Sequence, residues 1–426
     1  MKKFETIAVS GGLNPKDSQN AISPPIYQTT AFEFESIEHV SNLFDLKEEG
    51  HIYTRISNPT TSILEQRLNE LEGGVGALCV SSGQSASLIS ILNIVNQGDE
   101  VIASSSIYGG TFNLFKVTLK KYGINVKLCN SNDASEYEKL MTDKTKCIFV
   151  ESITNPQVSI CDIENIANIA HKHNIPLIVD NTIATPYLLR PFEFGADIVV
   201  YSTTKYISGN GNAMGGAIID SGNFDWTKNK EKFAQLIEPD ESYHGVSYVE
   251  SFKNAAYIVK ARVQLLRDLG CTMSPFNAYL TLIGLETLHL RMQRHCENAL
   301  KVATYLKNNK NIAWVNYPML ESDKNYSLAQ KYTPQGASSI VSFGIKGGFK
   351  EGIKFVENLT LPFHVTNIGD TKTIVTYPSV STHKQLSQED KIKCGIGDDF
   401  IRLSVGLENV DDIIDDLDNA LNIAIK

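Results

Sequence analysis

No run of apolar residues in the chain is long enough to span a bilayer, so an α-helical membrane protein is excluded. There is no Gly-x-x-x-x-Gly-Lys-Ser/Thr and no Gly-x-Gly-x-x-Gly segment, so a nucleotide cofactor would lack its usual phosphate cradle. The cysteines (Cys79, Cys129, Cys147, Cys161, Cys271, Cys296 and Cys394) are odd in number and widely spaced, with no Cys-x-x-Cys pair. The expectation is therefore free thiols, no structural metal and a reducing cytoplasm. Basic residues are dispersed and outnumbered, 39 against 48 acidic, for a net charge of −9. That balance argues against a nucleic-acid partner. Two lysines open the chain, but Glu5 and Thr6 interrupt it before any long apolar region, so no signal peptide is expected.

What is present is an ordinary globular composition over a length of 426 residues, too long for one small core. Residues 1–60 lack periodicity and carry Ser23-Pro24-Pro25 and Asn58-Pro59, which favour turns and extended backbone. They are expected to form an arm that wraps a neighbouring subunit. Residues 61–260 alternate short apolar strands with helices, as in Ala77–Val80, Glu100–Ala103, Asn125–Cys129, Lys146–Val150, Ile175–Val179 and Ala196–Val200. Such alternation predicts an α/β domain with a mostly parallel sheet covered by helices on both faces. One helix shows Ile163, Ile166, Ala167 and Ala170 at i, i+3, i+4 and i+7, with Asp162 as its expected N-cap. Residues 222–250 break the pattern and read as an inserted polar and aromatic loop, followed by a long helix over 254–269. Residues 261–426 mix helices (278–308, 410–425) with strands (339–345, 400–405) and predict a smaller C-terminal α+β domain.

In a parallel sheet ligands bind beyond the carboxyl ends of the strands. Ser82-Gly83, Glu151–Asn155, Asp180 and Ser202–Lys205 all fall at such ends. Most lysines are solvated surface residues, but Lys205 follows a buried-type strand and precedes the turn Ser208-Gly209-Asn210-Gly211. An amine there suits condensation with an aldehyde and, once released, service as a general base. Asp180 is either a strand-end cap or, beside Lys205, the anion that keeps a pyridine nitrogen protonated. Ser82, Gly83 and Gln84 open a helix whose backbone amides form a natural anion site, and Ser202 and Thr204 can add hydroxyls. Together these requirements are those of pyridoxal 5'-phosphate, which needs an amine, an anion and phosphate donors. Tyr108 is core or stacks on a flat ring. Asn155 is a turn residue or hydrogen-bonds the cofactor. Arg402, embedded in an apolar strand, needs an anionic partner: a structural carboxylate or that of a substrate.

These residues resemble the Cys/Met-metabolism family of pyridoxal-phosphate enzymes, of fold type I. The resemblance covers essentially the whole chain and includes Tyr53-Thr-Arg55-Ile-Ser-Asn-Pro-Thr60, Ser82-Gly83-Gln84, the Asp180 strand and Ser202-Thr-Thr-Lys205. It implies that Lys205 is the Schiff-base lysine, Asp180 the ring-nitrogen partner, Tyr108 the stacking ring and Asn155 the contact to the phenolic oxygen. Gly83, Gln84, Ser202 and Thr204 would hold the phosphate. Tyr53 and Arg55 would reach it from a second subunit, which makes a dimer the smallest active unit and a tetramer the usual assembly. Arg402 would bind the substrate carboxylate, with Asn155 and Asn367 completing the substrate site.

Two stretches are similar to the O-acetylhomoserine sulfhydrylase branch. One holds Phe224-Asp225-Trp226 and Tyr243-His244-Gly245. The other runs Asn367-Ile368-Gly369-Asp370, then Tyr377-Pro378-Ser379 and Ser381-Thr382-His383. Relatives that make or cleave cystathionine usually carry Ser-Leu-Gly in place of Asn-Ile-Gly. The branch implies γ-replacement: O-acetyl-L-homoserine and sulfide, or another small thiol, give L-homocysteine and acetate, with Lys205 and Tyr108 as proton carriers. The rivals at the same site are cystathionine γ-synthase, O-succinylhomoserine sulfhydrylase and a methionine or cystathionine γ-lyase. From a different class, a silent sulfur-relay scaffold would keep the fold without turnover. Ser379, Thr382, His244, His364 and His383 are further loop candidates for substrate contact.

Overall fold

The protein is described by a computed structural model covering residues 2–131, 133–381 and 397–425. Thr382, His383 and Cys394 lie outside the described residues.

Seven strands form the larger sheet: β1 (Gly76–Val80), β2 (Glu100–Ser104), β3 (Asn125–Cys129), β4 (Thr145–Glu151), β5 (Leu177–Asp180), β6 (Ile198–Tyr201) and β7 (Gly216–Asp220). Their order is β1-β7-β6-β5-β4-β2-β3. The pairs β2–β3, β2–β4, β4–β5 and β5–β6 are parallel, and β7 runs against both of its neighbours. All of these strands except β7 therefore end at one edge. β4 and β6 are buried along their whole length, which is why they read as unbroken apolar runs rather than alternating ones.

A second sheet holds β8 (Ile312–Asn316), β9 (Ile340–Ile345), β10 (Phe363–His364), β11 (Ile374–Thr376) and β12 (Phe400–Ser404), in the order β10-β11-β12-β9-β8. It has its own core, built on Val341, Phe343, Ile401, Leu403 and the helix Val410–Ala424. The core of the larger sheet extends along the chain through Ala261, Leu266, Leu282 and Met292, so the segment 256–292 shares that core.

Three local expectations change. Asp162 precedes its helix but makes no side-chain cap; its carboxylate instead accepts from Tyr332 Oη and Asn165 Nδ2. The segment 222–250 is not an open loop. It contains short helices, and Trp226, Phe233, Leu236 and Tyr248 are buried, with Trp226 stacked on Tyr257 at 5.5 Å and 5°. The helix over 254–269 is interrupted by a π-helical stretch at Ala261–Leu266, a wider turn that hydrophobic spacing alone does not signal.

The N-terminal region divides in two. The helix Phe4–Ser10 is tied to the helix Pro59–Glu72 by Arg67, which donates to Gly11 O at 2.8 Å and Ala8 O at 3.2 Å. Between them, Ile22 and Ile37 stand 90% and 87% exposed, although neither side chain gains anything from water. Among the described residues no helix is long and apolar enough to cross a membrane.

Candidate active site

The carboxyl edge of the large sheet and the second sheet enclose a cleft of about 590 Å³. Ser82, Gly83, Gln84, Tyr108, Asn155, Asp180, Ser202, Thr204, Lys205, Asn367 and Arg402 all line it. Tyr53 and Arg55 do not: Arg55 donates to Arg267 O and lies over the Tyr53 ring, 5.5 Å from its centroid. His244 and His364 are exposed away from the cleft, and Ser379 is buried outside its lining.

Lys205 follows β6 in a tight turn, where Gly209 N–H donates to Lys205 O at 2.8 Å and Ser208 N–H to Thr203 O at 2.9 Å. Its side chain is half-buried, and Nζ donates to Asn367 Oδ1 at 2.6 Å. Burial first, and the positive charge of Arg402 second, bring its pKa down to about 8. An amine at that value is far more often neutral at pH 7 than an ordinary lysine.

Asp180 ends β5 and accepts from the backbone N–H of Thr182 at 3.0 Å and from its hydroxyl. Thr182 Oγ1 in turn accepts the Ser202 N–H at 2.8 Å, so one threonine joins the acid to the strand end that carries Lys205. Beside Asp180, in register on the neighbouring strand, stands Glu151. Sequence reasoning placed it at a strand end but gave it no role. Glu151 is buried and accepts from Tyr108 N–H at 2.6 Å and Asn155 N–H at 3.3 Å. Burial, then the neighbouring Asp180 charge, hold its carboxyl well above the usual range. Burial also raises Asp180, but the two Thr182 bonds oppose it. Of the two acids, Glu151 is the one pushed further toward its protonated form. An acid ending a parallel strand was the same signal that singled out Asp180.

The other end of the cleft is an anion cradle. Ser82 caps the helix Gly83–Leu92, with Oγ accepting the Ser85 N–H at 3.2 Å. A Cβ on Gly83 would lie 2.6 Å from that of Ser202, so glycine there lets the helix start close against the strand end. Gln84 Oε1 accepts from Thr111 Oγ1 at 3.0 Å, and Thr204 Oγ1 exchanges bonds with the Gly215 backbone at 3.1 and 3.2 Å. Tyr108 is 48% exposed at the mouth.

From the second sheet comes Arg402, in the middle of β12 and buried. It donates to Asn155 Oδ1 at 2.9 Å, Asn367 O at 3.0 Å and Thr376 Oγ1 at 2.8 Å. Among the described residues its Nε has no hydrogen-bond partner, and no carboxylate lies within ion-pair distance. A buried cation held only by neutral oxygens, with one donor unused, is prepared for an anion from outside. Burial brings its pKa to about 10, so it remains charged at neutral pH. Among the described residues no group of histidines, cysteines and acids could hold a metal ion.

A half-buried amine, a paired acid, an anion cradle with its close-fitting glycine, and a flat ring fit pyridoxal phosphate, and the class they define is a pyridoxal-phosphate enzyme. The family described as Cys/Met metabolism PLP-dependent enzyme matches residues 5–422, and this chain belongs to that family. Among relatives, the chain is 47% identical over 428 aligned residues to the O-acetyl-L-homoserine sulfhydrylase of Leptospira meyeri, covering 98% of this chain and 96% of that one. It is 44% identical to the homocysteine/cysteine synthase of Saccharomyces cerevisiae, with 97% and 96% covered. Among solved structures it is similar to a Campylobacter jejuni protein described as a putative O-acetylhomoserine (thiol)-lyase. That match has a TM-score of 0.96 and 42% identity, and covers 99% of this chain and 100% of that one. The Campylobacter structure carries N'-pyridoxyl-lysine-5'-monophosphate at its position 205.

Proposed function

We propose that the chain catalyses γ-replacement on O-acetyl-L-homoserine, with sulfide displacing acetate to give L-homocysteine. The observation that carries this is end-to-end similarity to sulfhydrylases of that substrate, 47% identical in the Leptospira case.

The residues divide the work. Lys205 would hold the cofactor's aldehyde carbon, Asp180 its ring nitrogen, and Tyr108 one ring face. The N-terminus of the helix at Gly83 and Gln84, with Ser82, Ser202 and Thr204, would hold its phosphate. Asn155 would meet the phenolic oxygen. When bound, the cofactor supplies an electron sink for the negative charge that develops at the substrate Cα. Arg402, with Asn155 and Asn367 beside it, grips the substrate carboxylate and so aims the Cα–H bond. Lys205, with its lowered pKa of about 8, removes that proton, and Lys205 and Tyr108 carry the protons that leave and return at Cβ as acetate departs and sulfide adds at Cγ.

Tyr53 and Arg55 complete the phosphate site of a second copy of the chain. The exposed Ile22 and Ile37 support this, because an arm with apolar side chains in water gains by covering a neighbour. A dimer is then the smallest active unit, with a tetramer the usual assembly of the family. The described cysteines are free, in keeping with a cytoplasmic enzyme.

The test crosses two acyl donors, O-acetyl- and O-succinylhomoserine, with sulfide and cysteine. The acetyl ester with sulfide is expected to give homocysteine fastest. No homocysteine from cofactor-loaded protein, or faster formation of cystathionine, contradicts the assignment.

A further inference from the structure

Lys205 stands between two sheets, and the residue after it fastens it to the smaller one. Tyr206 is buried, and its Oη lies 2.7 Å from Ser339 Oγ. Ser339 Oγ lies 3.2 Å from Ser404 Oγ, which accepts the Gly369 N–H at 3.0 Å. Ser404 is two residues beyond Arg402 on β12, on the same face of the strand. Gly369 is two residues beyond Asn367, whose Oδ1 receives the Lys205 amine. Gly369 also has φ +69°, and a Cβ there would lie 2.7 Å from the Tyr206 nitrogen, so the two backbones touch. The hydroxyl chain Tyr206–Ser339–Ser404 thus runs beside the functional contacts Lys205–Asn367–Arg402 and joins the same strands.

From the far side the turn is held by Arg291. This buried guanidinium donates to Tyr206 O at 2.7 Å and Ile207 O at 3.2 Å, and to Gly284 O at 2.7 Å. A Cβ on Gly209 would lie within 3.0 Å of three of its atoms. With its main chain pinned there, Tyr206 has one polar atom left to place, and that atom points at the second sheet.

We propose that Tyr206 is a positioning residue: through Ser339 and Ser404 it holds the Lys205 amine in register with the Arg402 clamp. The amine belongs to one sheet and the carboxylate grip to the other. Proton removal at Cα needs both at fixed separation, and small misplacements of reacting groups are costly. The inference rests on the reading that Lys205 bears the cofactor.

The test uses cofactor-loaded Tyr206→Phe, which keeps the ring and removes the hydroxyl. Ser339→Ala removes the other end of the bond and leaves the lysine turn untouched. For each, the pH midpoint of the bound cofactor's visible absorbance, kcat and KM for O-acetylhomoserine, and cofactor affinity are measured. Each variant is expected to lower kcat about 10-fold and shift the midpoint by about half a unit, with cofactor affinity within about 2-fold. The double variant should be no worse than the poorer single one, because both break one bond. An unchanged midpoint and kcat in either soluble variant, or effects that add in the double, overturns the proposal. A wild-type protein with no lysine-bound chromophore defeats the reading of Lys205 itself, a separate result.

Discussion

The cleft holds a half-buried lysine and a buried arginine, the core a buried lysine and a buried arginine, and the pairs behave differently. Lys205 and Lys260 both have amines brought down to about 8 by burial. Lys260 is 3% exposed and its Nζ is enclosed by Asn93, at 3.2 Å from the carbonyl and 3.4 Å from the side-chain oxygen. Lys205 opens on a cleft. Arg291 and Arg402 are both pushed to about 10 by the same cause. Arg291 spends its donors on the carbonyls of Tyr206, Ile207 and Gly284 and on Thr287 Oγ1. Arg402 keeps Nε unspent among the described residues. A shifted pKa therefore does not mark a reactive group. What distinguishes the cleft cations is their place in the cleft lining, together with hydrogen-bonding capacity left for a ligand.

The largest effect should come from the arginine side of that contrast. Arg402→Lys replaces a planar fork by a point charge. Steady-state kinetics should show kcat/KM for O-acetylhomoserine falling about 100-fold, chiefly through KM, with the bound cofactor's absorbance unchanged. A loss confined to stability would put Arg402 with Arg291 as a structural cation.

The lysine side gives a smaller, graded effect. Only a neutral amine attacks an aldehyde, and burial lowers the Lys205 pKa because it disfavours the ammonium form. Cofactor capture by the apoprotein, followed by stopped-flow absorbance, should rise about tenfold per pH unit below 8 and level off above it. A lysine at its ordinary value would still be climbing at pH 9. Lys205→Ala should show no such capture even though Lys260 is intact.

Much of this was legible in the sequence because strand ends are. A parallel sheet delivers the residues after its strands to one edge, so Lys205, Asp180, Ser82, Gly83 and Asn155 could be gathered without coordinates. Arg402 was legible for a different reason, as a charge with no visible partner inside an apolar strand. Glu151 was gathered by the same strand-end rule but given no role, because its pairing beside Asp180 is a matter of strand order that local spacing does not show. The stretch with Phe224 and Trp226 misled in the opposite way. Its polar residues read as loop, while the ring stacking and burial of Trp226 make it part of the large core. Tertiary contact between rings far apart in sequence leaves no local period to detect. For Tyr53 and Arg55, their place outside the cleft of their own chain is likewise a fact of the fold rather than of spacing.

The most direct measurement is borohydride reduction of the cofactor-loaded protein followed by peptide mapping. The account predicts one stable pyridoxyl adduct, on the peptide carrying Lys205. An adduct on Lys260 or any other lysine, with Lys205 unmodified, would contradict it.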